Sequence, residues 1–332
     1  MNEKQRKRRE VLRQAAVVLL GLLAVVFLFL FLSKWEGKRG FFSESEQNSY
    51  TNVRYGGKKY SLRKDVETLL VIGVDKYAAD TDDSGFNNDQ QNDFLMLLIL
   101  DRKARTVCAL HINRDTMTEV PTLGVAGQYA GSVKEQIALA HTYGSGGKDS
   151  CRNTADAVSV LLHQVPITHY MAITMDAVKI VNDGVGGVTL TVMDDLTGID
   201  ESLVKGREVT LMGDQALHYT RARMSVVDHP TNLRRMERQS QYLEALYDKL
   251  QLKLGTEKDF FSHLYLELAD YTLTDCTSNQ LETAFDYAGK FSFLGIRSIE
   301  GEAKPGDQYI EFYPDEDKLQ EMILDLFYEE KN

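Results

Sequence analysis

Cysteine is scarce in this chain of 332 residues, and its three copies carry no sequence motif for two common kinds of architecture. Cys108, Cys151 and Cys276 show no metal-binding spacing such as CxxC. An odd count leaves at least one thiol free, so no disulfide framework is implied and three buried thiols are the expectation. Catalytic signatures are missing as well. There is no GxSxG, no P-loop and no HExxH, which removes the sequence grounds for a serine hydrolase, a P-loop NTPase or a zinc protease. His111, His141, His163, His169 and His218 show no ligand spacing, and Cys151 has no base close by in sequence. GVGG at 184–187 stands alone and reads as a turn before a strand. No repeat or low-complexity tract appears.

What is present begins with one long apolar run. Residues 15–32, AAVVLLGLLAVVFLFLFL, carry no charge and no proline. Eighteen helical residues span about 27 Å, close to the ~30 Å hydrocarbon core of a bilayer. Residues 1–14 hold six Lys/Arg against two Asp/Glu, which places that end as a cytoplasmic tail. The run is longer than a signal-peptide core and no A-x-A-like cleavage site follows, so a retained single-pass anchor is expected. The remaining chain then lies outside the cytoplasmic membrane. Polar, basic residues 33–65 read as an extracytoplasmic linker near the lipid surface.

From residue 66 the pattern becomes α/β, with no break before 332, so one domain is expected. LLVIGVD (69–75), FLMLLILD (94–101) and TVCALHIN (106–113) are buried-strand signatures, the last two forming a hairpin across DRKAR. The spacing predicts helices over 132–144, 152–165, 175–185 and 232–254, and another starting near Thr210. HYMAIT and GGVTLTVM read as strands. QLETAFDYAGKF and PDEDKLQEMILDLFYEE read as helices of the C-terminal third.

Against a formal net charge of −11, residues 221–239 hold five arginines: Arg221, Arg223, Arg234, Arg235 and Arg238. On the long helix, Arg235 and Gln239 border the apolar stripe of Leu233, Met236, Leu243, Leu246, Tyr247 and Leu250, while Arg234 looks outward. In an extended segment Arg221 and Arg223 would point to one side. Guanidinium forks suit phosphate oxygens, yet ion pairing with the many carboxylates explains the spacing equally well. Asp75 closes the first strand and Asp93 opens the second. Neighbouring strands would bring them to one sheet edge, where paired carboxylates suit Mg²⁺. Arg114, in INRDT, ends the third strand beside Asp115.

These pieces resemble the LytR-CpsA-Psr family of membrane-anchored cell-wall proteins. LLVIGVD, NDFLMLL, INRDT, ALAHTYGSGG, VNDGVGGVTL, LMGDQALHYTRAR and RRMERQ stand in family order over about 66–250, leaving 251–332 as an extension. The resemblance implies an α/β fold with a central mixed β-sheet flanked by helices and a lipid-binding cleft, behind one transmembrane helix. It implies a phosphotransferase that moves an anionic glycopolymer from an undecaprenyl-pyrophosphate carrier onto peptidoglycan. Asp75 and Asp93 would hold Mg²⁺. Arg114, Arg221, Arg223, Arg235, Arg238 and Gln239 would bind the pyrophosphate, with Arg114, Asp93 and Arg235 catalytic. Gln91-Asn92 replace a common Arg-Ser, and the first loop is long. Asn232 stands where many members have an aspartate, so Asp228 or no residue fills the base role. Phosphoryl transfer asks for positioning and charge neutralisation, which this set supplies without a protein nucleophile. Two rivals remain at this point. One is a non-catalytic receptor or scaffold that binds polyprenyl phosphate. The other is a lipid pyrophosphatase. An acidic domain outside the membrane argues against nucleic acid.

Overall fold

The computed structural model describes residues 50–75, 91–124, 127–222, 231–307 and 309–331. The expected anchor at 15–32 and the tail at 1–14 lie outside the described residues. Among the described residues no helix is long and apolar enough to cross a membrane.

The chain opens with a hairpin, β1 (Asn52–Tyr55) and β2 (Lys58–Leu62), and enters the core at β3 (Val66–Val74). β4 (Phe94–Asp101) and β5 (Thr106–Ile112) follow, then the pair β6 (Met117–Leu123) and β7 (Tyr129–Gln136). A 3-10 turn at Ile137–His141 leads to α1 (Gly147–Leu161), β8 (His169–Thr174) and α2 (Met175–Gly184). β9 (Val188–Thr191) and β10 (Glu208–Leu211) precede α3 (Asp214–Arg221) and the long α4 (Thr231–Thr256). The last third runs α5 (Phe260–Leu268), β11 (Thr272–Thr274), α6 (Ser278–Lys290), β12 (Ser292–Ser298), β13 (Gly301–Pro305), β14 (Ile310–Pro314), α7 (Glu316–Phe327) and β15 (Tyr328–Lys331).

Six strands form the central mixed sheet in the order β11-β8-β3-β4-β5-β12. β8 and β12 run parallel to β3 and β5, and the remaining pairs are antiparallel. Both faces are covered, which is why β3 to β5 are apolar throughout instead of alternating. Leu95, Leu97 and Ile99 point into a core shared with α1 and α7. The alternate residues face the other way, where Leu98 and Leu100 meet Tyr287 and Phe291 of α6 and its end. Fully buried Leu70, Ile72, Leu95 and Leu97 each stabilise the fold by about 1.5–3 kcal/mol. A second core gathers β9, β10, α2, α3 and α5 around Tyr219, Tyr242 and Leu246. Helix α4 takes part in both, since Leu233 packs on the first and Tyr242 and Leu246 belong to the second.

Three expectations need correction. The linker boundary at 65 is too late. β1 and β2 pair in register, and β15 adds to β2 from Tyr328↔Leu62 to Lys331↔Lys59. Gly56 and Gly57, with φ of 56° and 80°, supply the left-handed turn that closes this hairpin. The helix expected over 132–144 is instead β7 and the 3-10 turn. Local helix preference there yields to pairing of β7 with β6, from Met117↔Gln136 to Leu123↔Tyr129 with a register shift between Thr122 and Leu123. Arg221 is not in an extended segment but ends α3. Arg223 and Asp228 lie outside the described residues.

Candidate functional site

The sheet topology sets up the site. β3, β5 and β8 end, and β4 begins, at the same edge of the sheet. Gly73 pairs with Phe94, so Asp75 just beyond β3 and Asp93 just before β4 meet there. Gly73 is required by this approach, because a Cβ on it would lie 2.8 Å from Phe94 Cβ. Over this edge lie α3 and the first turns of α4. Between them is a cavity of about 610 Å³ whose polar lining includes Asp75, Asp93, Arg221, Arg235 and Gln239, with Asp214 and His218. Ile173, Val178, Leu217, Tyr242 and Leu243 supply its apolar lining.

Each charged group is held differently. Arg221 reaches Asp75 at 3.1 Å, and both side chains are substantially exposed. Such a pair contributes at most about 1 kcal/mol, so either partner can exchange for a ligand at little cost. Arg114 donates to Asp93 and to Gln91 and stands 3.8 Å from Asp115. Gln91 thus serves as a neutral partner for Arg114. Its neighbour Asn92 is buried and reaches Ile137 O and Thr154 Oγ1, tying the start of β4 to the 3-10 turn and α1. Asp75 and Asp93 offer hard oxygen donors on one cavity wall, a donor set that fits Mg²⁺.

Arg235 is 6% exposed. It donates to Asn232 Oδ1 at 2.7 Å and lies 3.5 Å from the carbonyl of Asp93. Asn232 in turn donates to Asn113 Oδ1. An amide in that chain aims Arg235 at the cavity and offers no proton-accepting carboxylate. Beneath it His111 faces Ser240 Oγ at 3.1 Å. Burial, reinforced by the Arg235 charge, pushes the His111 imidazole down to about 3, so the ring stays neutral and adds no second cation. Sequence reading missed His111, because one histidine on an apolar strand carries no local signal.

Arg238 is placed elsewhere than expected. It is 1% exposed and turned away from the cavity. Its NH1 donates to Asp194 Oδ2 at 2.7 Å, and its other nitrogens donate to the carbonyls of Tyr219 and Ala222. Gln239 Nε2 donates to Thr220 O at 3.1 Å. The last carbonyls of a helix lack partners within it, and here α4 supplies them to α3. Arg238 is therefore a brace for the segment that carries Arg221. Arg234 does not look outward either. It bonds Asp194 at 2.8–2.9 Å and also Glu237. Burial alone would raise Asp194, but hydrogen bonds from Arg234 and Arg238 hold its carboxyl below the usual range. The outward reading of Arg234 fails because α4 is covered on several sides, by the sheet and by the second core.

Fold, carboxylates and arginine cleft define a class, and comparison with known proteins agrees: the LytR_cpsA_psr family matches residues 40–326, so the chain belongs to that family. Among curated relatives it is 33% identical over 207 residues to the polyisoprenyl-teichoic acid--peptidoglycan teichoic acid transferase TagV of Bacillus subtilis. That match covers 58% of this chain and about half (48%) of TagV. It is 24% identical over 328 residues to TagU of the same organism, across 98% of both chains. Among solved structures, TagV of B. subtilis superposes with a TM-score of 0.60 at 24% identity, over 80% of this chain and 97% of that one. A structure described as TagT bound to LI-WTA gives 0.60 at 21%, over 79% and 90%. These likenesses support the mixed α/β fold.

Proposed function

We propose that this chain is a membrane-anchored phosphotransferase that moves an anionic glycopolymer, of the teichoic acid or capsule kind, from a polyprenyl-pyrophosphate carrier to peptidoglycan. One observation carries the reading: a single cavity is lined both by apolar side chains and by Asp75, Asp93, Arg221 and Arg235. An isoprenoid tail suits the apolar lining and a pyrophosphate suits the charged groups. The names of TagV and TagU support the same substrate classes.

In the proposed step an acceptor hydroxyl oxygen bonds to the glycan-side phosphorus. The bond from that phosphorus to the bridging oxygen breaks, and polyprenyl phosphate leaves with the electron pair. The hydroxyl proton passes to solvent. Arg235, fixed by Asn232, meets charge on the reacting phosphate oxygens. Arg221 leaves Asp75 to bind the pyrophosphate, and Arg114 keeps the Asp93 carboxylate oriented. Mg²⁺ held by Asp75 and Asp93 would neutralise phosphate charge. The apolar run at 15–32 would tether the chain to the bilayer that carries the lipid.

The test uses the full chain in detergent micelles with a polyprenyl-pyrophosphate-linked oligosaccharide and a peptidoglycan acceptor. Glycan on the acceptor is followed with and without Mg²⁺. Transfer that needs Mg²⁺ and drops about 10²–10³-fold in Arg235→Ala and in Asp93→Ala is expected. Tight binding of the lipid pyrophosphate with no transfer under any condition would replace the transferase with a receptor. Release of free glycan to water would make it a pyrophosphatase.

A further inference from the structure

At the far end of the central sheet, away from the cleft, a second set of side chains converges. His169 opens β8, Asp275 follows β11, and Cys276 precedes the cap of α6. One donor atom from each lies within 4.8 Å of the others. No spacing rule reveals the trio, since more than one hundred residues separate His169 from the other two. The pairing of β11 with β8, from Thr272↔Ile173 to Thr274↔Met171, brings them together.

The local arrangement points to a ligand. His169 Nδ1 is a buried atom without a hydrogen bond among the described residues, and it faces Asp275 Oδ1 at 3.5 Å. That carboxylate is itself anchored, with Oδ1 accepting from Tyr170 N at 3.0 Å. Its other oxygen stands 3.5 Å from Arg152, whose exposed side chain can swing into solvent. Gln280 faces the remaining ring nitrogen, Nε2, at 3.1 Å. The Gln280 oxygen now accepts from Thr277 N at 2.8 Å and Thr277 Oγ1 at 2.9 Å in the cap of α6, so metal binding at Nδ1 would exchange these contacts for a bond from Nε2–H of the kind that orients a ligating imidazole.

We propose that His169, Asp275 and Cys276 form a structural site for a borderline-soft divalent cation of the zinc class. Imidazole, thiolate and carboxylate are the donors such an ion takes, and a Mg²⁺ site has no use for sulfur. Tetrahedral zinc spaces its donors by roughly 3.5 Å, so the three need close by only about an ångström. Water would complete the shell, because all three side chains are partly exposed. Burial pushes the Cys276 thiol up, so binding releases its proton to solvent and weakens in acid. From His169 to the cleft residue Thr174 the strand runs about 17 Å, so the ion serves the fold and not the chemistry. It would clamp the β11–α6 segment onto β8.

The full chain, purified without a histidine tag and stripped with chelator, would be titrated with Zn²⁺ against a chromophoric chelator and separately with Co²⁺. One equivalent should bind, and the cobalt form should show a thiolate-to-metal charge-transfer band. Cys276→Ser should lose the band and bind zinc at least tenfold more weakly, and His169→Gln should weaken it similarly. Melting in chelator should match wild type for both variants, with zinc raising the midpoint of wild type alone. Absence of the band, or zinc binding in Cys276→Ser as tight as in wild type, would overturn the site. If the variants melt low even in chelator, the band in wild-type protein decides by itself.

Discussion

Replacing Arg238 by methionine separates a brace from a ligand. Methionine keeps most of the stem volume but removes three contacts. One is the charge-assisted bond to Asp194, at 2.7 Å, and the others are bonds to the carbonyls of Tyr219 and Ala222. A bond to a charged group contributes about 1.5–3 kcal/mol and a stranded buried acceptor costs about 1–3 kcal/mol. Asp194 keeps Arg234, so the loss should settle near 3–5 kcal/mol, the usual cost of breaking a buried pair. That is a large share of the ~5–15 kcal/mol that holds a typical domain. Urea unfolding of the full chain would measure it, alongside binding of a short-chain polyprenyl pyrophosphate to protein that is still folded. Arg235→Met is the comparison, with most of its loss in binding. Asp194→Asn should reproduce the stability loss in weaker form without touching the cleft. The brace assignment is refuted if Arg238→Met unfolds within about 1 kcal/mol of wild type while its ligand affinity falls tenfold or more.

His111 makes stability depend on pH with a definite sign. Its folded pKa, about 3, lies below the ~6.5 of an unfolded histidine, so acid favours the unfolded chain. Between pH 7 and pH 5 this one group should remove about 2 kcal/mol, and His111→Gln should flatten that slope in urea midpoints. Gly73→Ala would push a methyl to 2.8 Å from Phe94 Cβ. It should cost about 1–3 kcal/mol and lower transfer by displacing Asp93, as thermal melts and initial rates would show. Leu217→Trp crowds the apolar lining from α3. A long-chain lipid pyrophosphate should then bind about tenfold more weakly, equal to 1.4 kcal/mol, with inorganic pyrophosphate binding unchanged in calorimetry.

What the sequence shows well is what one local period encodes. β3, β4 and β5 are continuous apolar runs, and β4 and β5 form the expected hairpin. Asp75, Asp93, Arg235 and Gln239 line one cavity because strand ends and a helix face fix their direction. What stayed hidden depends on distant partners. Arg238 looked like one more phosphate ligand until Asp194 and the end of α3 claimed it. β7 carries helix-forming residues and becomes a strand only against β6. The hairpin at 52–62 did carry a signal, a Gly-Gly turn between alternating segments, but its basic residues read as a linker. His169 and Cys276 share no motif because a strand pair, not a spacing, joins them.

The pairing of β15 with β2 also governs the order of folding. Lys58 and Glu330 lie 272 positions apart and form an ion pair at 2.8 Å. The hairpin of β1 and β2 therefore keeps one edge open until β15 pairs with it. Contacts of such long sequence range form late and slow the search. Loss of the last few residues would leave the β2 edge unpaired and free to recruit a strand from another molecule. The seam thus acts as a clasp, and a chain cut short before it is marked by an edge that aggregates or is degraded.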